Sequence, residues 1–227
     1  FNVLDSAEKA YWFGFLMADG CIMHTSRIRH LKTMDSMQDR YYLQLSLSSV
    51  DRAHVAKFKQ CIQSSHPIRE YACADYSQWF YSRIIIEDRH IFDSLEALGM
   101  TTNKSLTVVY PNIPAAFDAP FIRGYFDGNG CVSCNASHNL WEGNITSTYE
   151  MLEGIFQRLP FNADKEFLPK QRHPDRGVNN WTLRFGGNQQ CLNVLEWMYA
   201  GSNELTRLDR KYDKYIELAK ANGRLPQ

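Results

Sequence analysis

A ten-residue segment that returns once, 110 positions later, constrains this chain more than any other feature. Trp12-Phe13-Gly14-Phe15-Leu16-Met17-Ala18-Asp19-Gly20-Cys21 is echoed by Ile122-Arg123-Gly124-Tyr125-Phe126-Asp127-Gly128-Asn129-Gly130-Cys131. Further on, Leu95-Glu96-Ala97-Leu98 is echoed by Leu195-Glu196-Trp197-Met198 at an offset of 100, so the first copy carries extra residues in its early strands, placed between Arg29 and Arg40. A long internal repeat must be settled before any local element is read, because it fixes the architecture as two related halves.

Periodicity then fills in each half. Asp5 to Met17 reads as a helix with Asp5 as N-cap and Glu8 three residues on. Leu43, Leu45 and Leu47 alternate with Gln44, Ser46 and Ser48, the pattern of a strand with one buried and one wet face. Val55, Phe58 and Ile62 take the helical period; extended stretches follow at Ile68 to Cys73 and Gln78 to Ile86, then a helix carrying Ile91, Phe92, Leu95 and Leu98. The proline-rich run from Tyr110 to Pro120 reads as a linker, with Asp118 capping the next helix. In the second half, strands are expected at Gly130 to Asn135, Trp141 to Thr146, Glu166 to Arg172 and Val178 to Phe185. Helices are expected at Tyr149 to Leu159, Gln189 to Tyr199 and Arg207 to Asn222. The prediction is an α+β fold of two α-β-β-α-β-β-α repeats: residues 1–110, a linker at 111–119, and residues 120–227.

Gly14 with Ala18, and Gly124 with Gly128, place small residues four apart on one face of each repeat's first helix, which lets two backbones approach closely. A central helix pair follows, with Asp19 and Asn129 at its C-terminal ends. A carboxylate at a helix C-terminus opposes the helix dipole unless a cation compensates, so the repeated position reads as a site rather than a cap.

With 227 residues, 44% apolar, 22% charged and no long apolar run, the chain excludes collagen, disorder and a membrane span. Lys+Arg and Asp+Glu both number 25, so no whole-chain basic field announces a nucleic-acid binder, and any such function rests on local charge placement. Six cysteines are too sparse for a disulfide scaffold, and Phe1-Asn2-Val3-Leu4-Asp5 lacks the basic start of a signal peptide; the expectation is an intracellular, reducing compartment. Cys131-x-x-Cys134 with His138 invites a zinc reading, but residues i and i+3 of a strand point to opposite faces and no second pair is nearby.

The two motifs, Trp12 to Gly20 and Ile122 to Gly130, resemble those of the LAGLIDADG homing endonucleases in their single-chain, two-motif form, and the element order extends the resemblance over nearly the whole chain. Asn103-Lys104-Ser105 and Arg210-Lys211-Tyr212 are similar to further elements of that family. The resemblance implies paired central helices, saddle-shaped antiparallel sheets lying in the major groove of a long asymmetric duplex DNA site, and a monomer with internal pseudo-two-fold symmetry. It implies that the last acidic residue of each motif binds Mg²⁺, with Ca²⁺ able to substitute without supporting cleavage. By that pattern Asp19 is a metal ligand and Asn129 holds the second metal position, while Lys104 and Lys211 act on the scissile phosphate or its solvent network. Asn129 departs from the pattern: an amide supplies no negative charge, which puts full double-strand cleavage in doubt.

Charge placement supports DNA as partner. Arg27, Arg29, Lys32 and Arg40 in the first copy, and Lys170, Arg172, Arg176 and Arg184 in the second, make the early and late strands net basic, whereas the helix Glu87 to Gly99 is acidic. Gln44, Ser46 and Ser48, with Asn180, Thr182 and Arg184, are candidate readers of base edges, and Arg69 is a further DNA-binding candidate. Trp79, Tyr81 and Arg83 leave the buried face of their strand undecided. The function read from the sequence is a site-specific, Mg²⁺-dependent DNA endonuclease, with a non-cleaving nucleic-acid binder, an RNA splicing maturase or a DNA-binding regulator, as the alternative. The host element, whether intron, intein or free-standing gene, stays open.

Overall fold

A computed structural model describes residues 1–29, 36–73, 79–162 and 164–224. The helices are α1 (Ala7–Asp19), α2 (Arg52–Cys61), α3 (Arg89–Ala97), α4 (Asp118–Asn129), α5 (Tyr149–Phe156), α6 (Asn188–Tyr199) and α7 (Asp209–Ala221). The strands are β1 (Gly20–Arg29), β2 (Ser36–Ser48), β3 (Arg69–Ala72), β4 (Phe80–Glu87), β5 (Gly130–Asn135), β6 (Leu140–Ser147), β7 (Lys170–Gln171) and β8 (Trp181–Gly186). The expected order, α-β-β-α-β-β-α twice with a closing helix, is present. Each half holds an antiparallel four-stranded sheet, ordered β1-β2-β4-β3 and β5-β6-β8-β7.

Two compact units form. One comprises Phe1–Val3 and Asp19–Thr102. In its sheet Leu43, Leu45 and Leu47 of β2 line one face with Ile22 of β1 and Ser82, Ile84 and Ile86 of β4, all buried, and α2 and α3 pack on the sheet. Burial of Ser82 settles the face that the sequence left undecided, because register pairs it with Leu47. Tyr81 and Arg83 therefore lie on the polar face.

The other unit comprises Leu4–Ala18 and Asn103–Gln227. Its core is built by α1, α4, α5 and α6 with the inner face of the second sheet, where Val132, Trp141, Ile145, Leu183 and Phe185 are buried. Gly143 is required there: the Phe185 ring occupies the place its side chain would take. The expected strand from Glu166 to Arg172 shrinks to Lys170–Gln171, whose pairing with β8 covers two residues and continues through Arg172 N–H donating to Asn180 O at 2.9 Å.

Two helix starts differ from expectation. Ser6, not Asp5, caps α1, its hydroxyl accepting from Lys9 N–H at 3.2 Å, while Asp5 pairs with the Lys9 ammonium at 2.8 Å. Asp118 is not a cap either. It is the first residue of α4, and its Oδ1 accepts from Tyr110 OH at 2.7 Å and Arg158 Nε at 3.1 Å. Both carboxylates have side-chain donors instead, Asp5 at i,i+4 spacing and Asp118 with one donor forty positions away.

The seam between α1 and α4 is main chain against main chain. A methyl at Gly14 would meet Phe121 C at 2.9 Å and its oxygen closer still; one at Gly124 would meet Tyr11 C at 2.9 Å and likewise its oxygen. Tyr11 and Phe121 are 110 positions apart, as are the two glycines, so the seam is two-fold in its contacts.

The same helices diverge at neighbouring positions. Where α1 has Phe13 and Met17, α4 has Arg123 and Asp127, all four buried. Asp127 accepts from Tyr11 OH, Tyr199 OH and Leu208 N–H, each at 2.8 Å. Arg123 donates to the carbonyls of Thr206 at 2.9 Å and Met198 at 2.7 Å and lies over the Tyr11 ring at 5.3 Å. Burial pushes the Asp127 carboxyl up, with Lys211 acting against it, and burial next to Asp127 pushes both tyrosines well up. This network ties α1, α4, α6 and the start of α7 together.

Candidate nucleic-acid interface and metal centre

In an antiparallel pair, directly opposed residues share a face, so register decides which predicted contacts belong together. In the second sheet Cys131, Asn144 and Arg184 form one cross-strand row, and Thr146, Thr182 and Lys170 the next. Arg184 Nη1 lies 3.7 Å from Glu142 Oε1, and the two threonine hydroxyls are 3.2 Å apart. This polar face turns away from the buried Leu183 and Phe185. A hollow of about 300 Å³ opens on it, lined by Asn144, Thr146, Lys170, Arg172, Thr182 and Arg184. Asn180 and Arg172 line the neighbouring hollow of about 630 Å³ that reaches the end of α4. Arg176 stands apart, exposed in the helical turn Pro174–Arg176 beyond the strands. Asn144 was missed by sequence reading; its alternation with buried Gly143 and Ile145 was the available signal.

Register in the first sheet is unbroken from Gly20↔Leu45 to Arg29↔Ser36. It places Arg27, with Gln38 opposite, Arg40, opposite Thr25, and Gln44, opposite Cys21, on one face. Arg29 holds the same register parity. Ser46, Arg83 and Arg69 complete a row across β2, β4 and β3 on that face. Lys32 lies outside the described residues. Arg40 Nε is 3.6 Å from Glu87 Oε1. Arg83 is the residue the sequence left unassigned: its guanidinium lies over Tyr71 at 4.7 Å and Tyr81 at 5.5 Å and donates through Nε to Ser46 Oγ at 3.4 Å. Two rings and a hydroxyl hold it in place before any ligand arrives.

Asp19 and Asn129 end α1 and α4, each followed by a glycine that opens the next strand. Asn129 Nδ2 donates to Tyr125 OH at 3.2 Å, and that hydroxyl is 2.6 Å from Ser147 Oγ, so the amide is oriented with its nitrogen engaged. Lys211 Nζ, buried, donates to the carbonyls of Phe126 and Asp127 at 2.7 Å and Gly130 at 2.6 Å, which satisfies the last turn of α4. Lys104 Nζ reaches Ala18 O at 3.4 Å, the corresponding end of α1. The ammonium groups that the resemblance assigns to a phosphate thus hold helix C-termini, where cations complement the dipole. Lys104 also borders the larger hollow, with Tyr125 and Asn129. Among the described residues no group of three or more His, Cys, Asp or Glu could hold a metal; Cys131 and Cys134 are both exposed, in register with Asn144 and Trp141 on opposite faces.

The fold defines the class: two α-β-β-α-β-β-α repeats, with α1 and α4 meeting at a glycine seam, make the two-repeat LAGLIDADG fold. No protein-family profile and no curated protein matches the sequence. Among solved structures, the I-LtrWI LAGLIDADG homing endonuclease bound to target DNA is similar over 96% of this chain and 92% of that one, with a TM-score of 0.62 at 12% identity. I-SmaMI bound to an uncleaved DNA target in the presence of calcium ions is similar over 93% and 89%, with a TM-score of 0.63 at 12% identity. The LAGLIDADG meganuclease I-AabMI bound to uncleaved DNA is similar over 94% and 90%, with a TM-score of 0.55 at 13% identity.

Proposed function

We propose that this chain is a site-specific DNA-binding protein of the homing-endonuclease kind, which lays the polar faces of its two sheets along the major groove of one long, asymmetric duplex. The observation that carries the reading is the register: basic and amide side chains scattered through the sequence fall on the solvent face of each sheet, with the apolar residues on the other. Arg, Gln and Asn suit purine edges, and the remaining Arg and Lys suit phosphates.

For cleavage the chain offers Asp19 as the carboxylate for Mg²⁺, and the Oδ1 of Asn129 as a neutral oxygen. These donors fit a hard cation in type and fall short in charge. The bound metal would polarise the scissile phosphate and lower the pKa of an attacking water. The protein's own part is to hold the helix ends rigid through Lys104 and Lys211 and to orient Asn129 through Tyr125. With Asn129 in place, double-strand cleavage is weak or absent.

The test is selection of bound duplexes from a random pool, followed by binding and cleavage assays of the parent and Asn129→Asp. One long site should emerge, with affinity falling by about 10³-fold or more between 50 and 200 mM salt. Asn129→Asp should raise Mg²⁺-dependent cleavage by orders of magnitude and change affinity in Ca²⁺ far less, because one unit charge is restored beside a divalent ion. A variant that binds normally and leaves the site uncut would favour the non-cleaving binder.

A further inference from the structure

β2 pairs with β4 only from Tyr42 onward, so from His24↔Tyr41 to Arg29↔Ser36 β1 and β2 form a two-stranded ribbon with no third strand beside it among the described residues. In the second sheet the corresponding overhang beyond Glu142↔Gly186 is Cys134↔Trp141 and Asn135↔Leu140. The first sheet is therefore longer by four rows, six against two.

The ribbon's two faces differ in charge. Its one carboxylate among the described residues, Asp39, lies on the face that continues the buried side of the sheet, bonded to Ser26 and 3.0 Å from His24 Nε2. That face ends in Ile28 opposite Met37, 59% and 70% exposed. The opposite face carries Thr25, Arg27, Gln38 and Arg40 and runs without a break into Gln44 and Ser46. Two strands without a core are marginal in water. The ribbon supplies no carboxylate to that face, where Glu87 of β4 pairs with Arg40 at its inner end and leaves Arg27 further out; a basic face of this kind matches a polyanion, and a two-stranded ribbon fits the width of a DNA major groove.

We propose that the ribbon makes the target asymmetric, the first unit gripping a half-site about four base pairs longer than the second. This rests on the DNA-binding reading above. Four rows add about 13 Å of strand, and successive nucleotides of one strand rise about 3.4 Å. Arg27 and Arg40 face the outermost base pairs of the longer half.

Selection from a random duplex pool, with hydroxyl-radical footprinting of the selected site, tests it on the parent and on Arg27→Ser/Arg40→Ser. The parent's protected region should extend about four base pairs further on one side of the centre. The double variant should lose sequence preference only at that outer end, and the slope of log affinity against log salt should flatten by up to about two. A selected site with halves of equal extent, or outer preferences unchanged in the variant, overturns the longer half-site and leaves DNA binding standing. A pool that yields no preferred duplex overturns both.

Discussion

The C-terminal ends of α1 and α4 share a backbone plan, each met by a buried lysine, and the two helices differ in what they bury. Lys211 donates to three carbonyls at the end of α4, and Lys104 donates to Ala18 O at the end of α1. Inside, α4 buries Arg123 and Asp127 where α1 buries Phe13 and Met17. The second helix is thus held by polar groups that must all be satisfied, the first by apolar packing. A duplicated element keeps its seam and is free to change the chemistry on its other faces.

The largest effect should come where the helices agree. Gly14→Leu and Gly124→Leu each force a side chain into a facing main-chain carbonyl, and each should cost about 3 kcal/mol or more, or prevent folding. Denaturant midpoints equal to the parent's would break the claim that the seam is main chain.

Next comes the lysine beside the polar network that only α4 has. Lys211→Ala strips three carbonyls of a charged donor and takes the cation from beside buried Asp127, and should cost about 3 kcal/mol. Chemical denaturation of the variant measures this directly, and a midpoint equal to the parent's would break the claim that the ammonium holds the last turn of α4.

The smallest expected effect concerns Asp127. Burial raises its folded carboxyl above the unfolded value near 3.8, so the folded state holds the proton longer. Stability from this group is therefore greatest below that value and declines as pH rises through the folded one, by about 1.4 kcal/mol per unit of separation. Asp127→Asn should flatten the fall in unfolding free energy as pH rises above about 4. An unchanged slope would mean that the tyrosine and amide donors offset burial completely.

Much of this was legible beforehand. The repeat, the element order, the close helix pair and the wet face of β2 all follow from spacing, because period and small-residue position are local facts. Which of several possible partners a side chain takes is not fixed by spacing. Asp5 and Asp118 looked like caps until Lys9, Tyr110 and Arg158 claimed them. The buried face of β4 was ambiguous because Ser82, a polar residue, lies in the apolar row. Arg123 and Asp127 carry no sequence sign of burial, and Lys211 no sign that three carbonyls use it. Apart from Asp5, whose partner is one helical turn on, each is decided at least in part by residues tens of positions away.

The Gly14–Gly124 seam has a consequence for how the chain can evolve. Each glycine faces the peptide backbone of the other repeat, which no substitution can trim. A mutation at either has no compensating mutation across the seam, whereas a large side chain facing another can be answered by a smaller one. The two positions are therefore frozen independently, and ancestry remains readable at the glycines after Phe13 and Met17 have parted from Arg123 and Asp127.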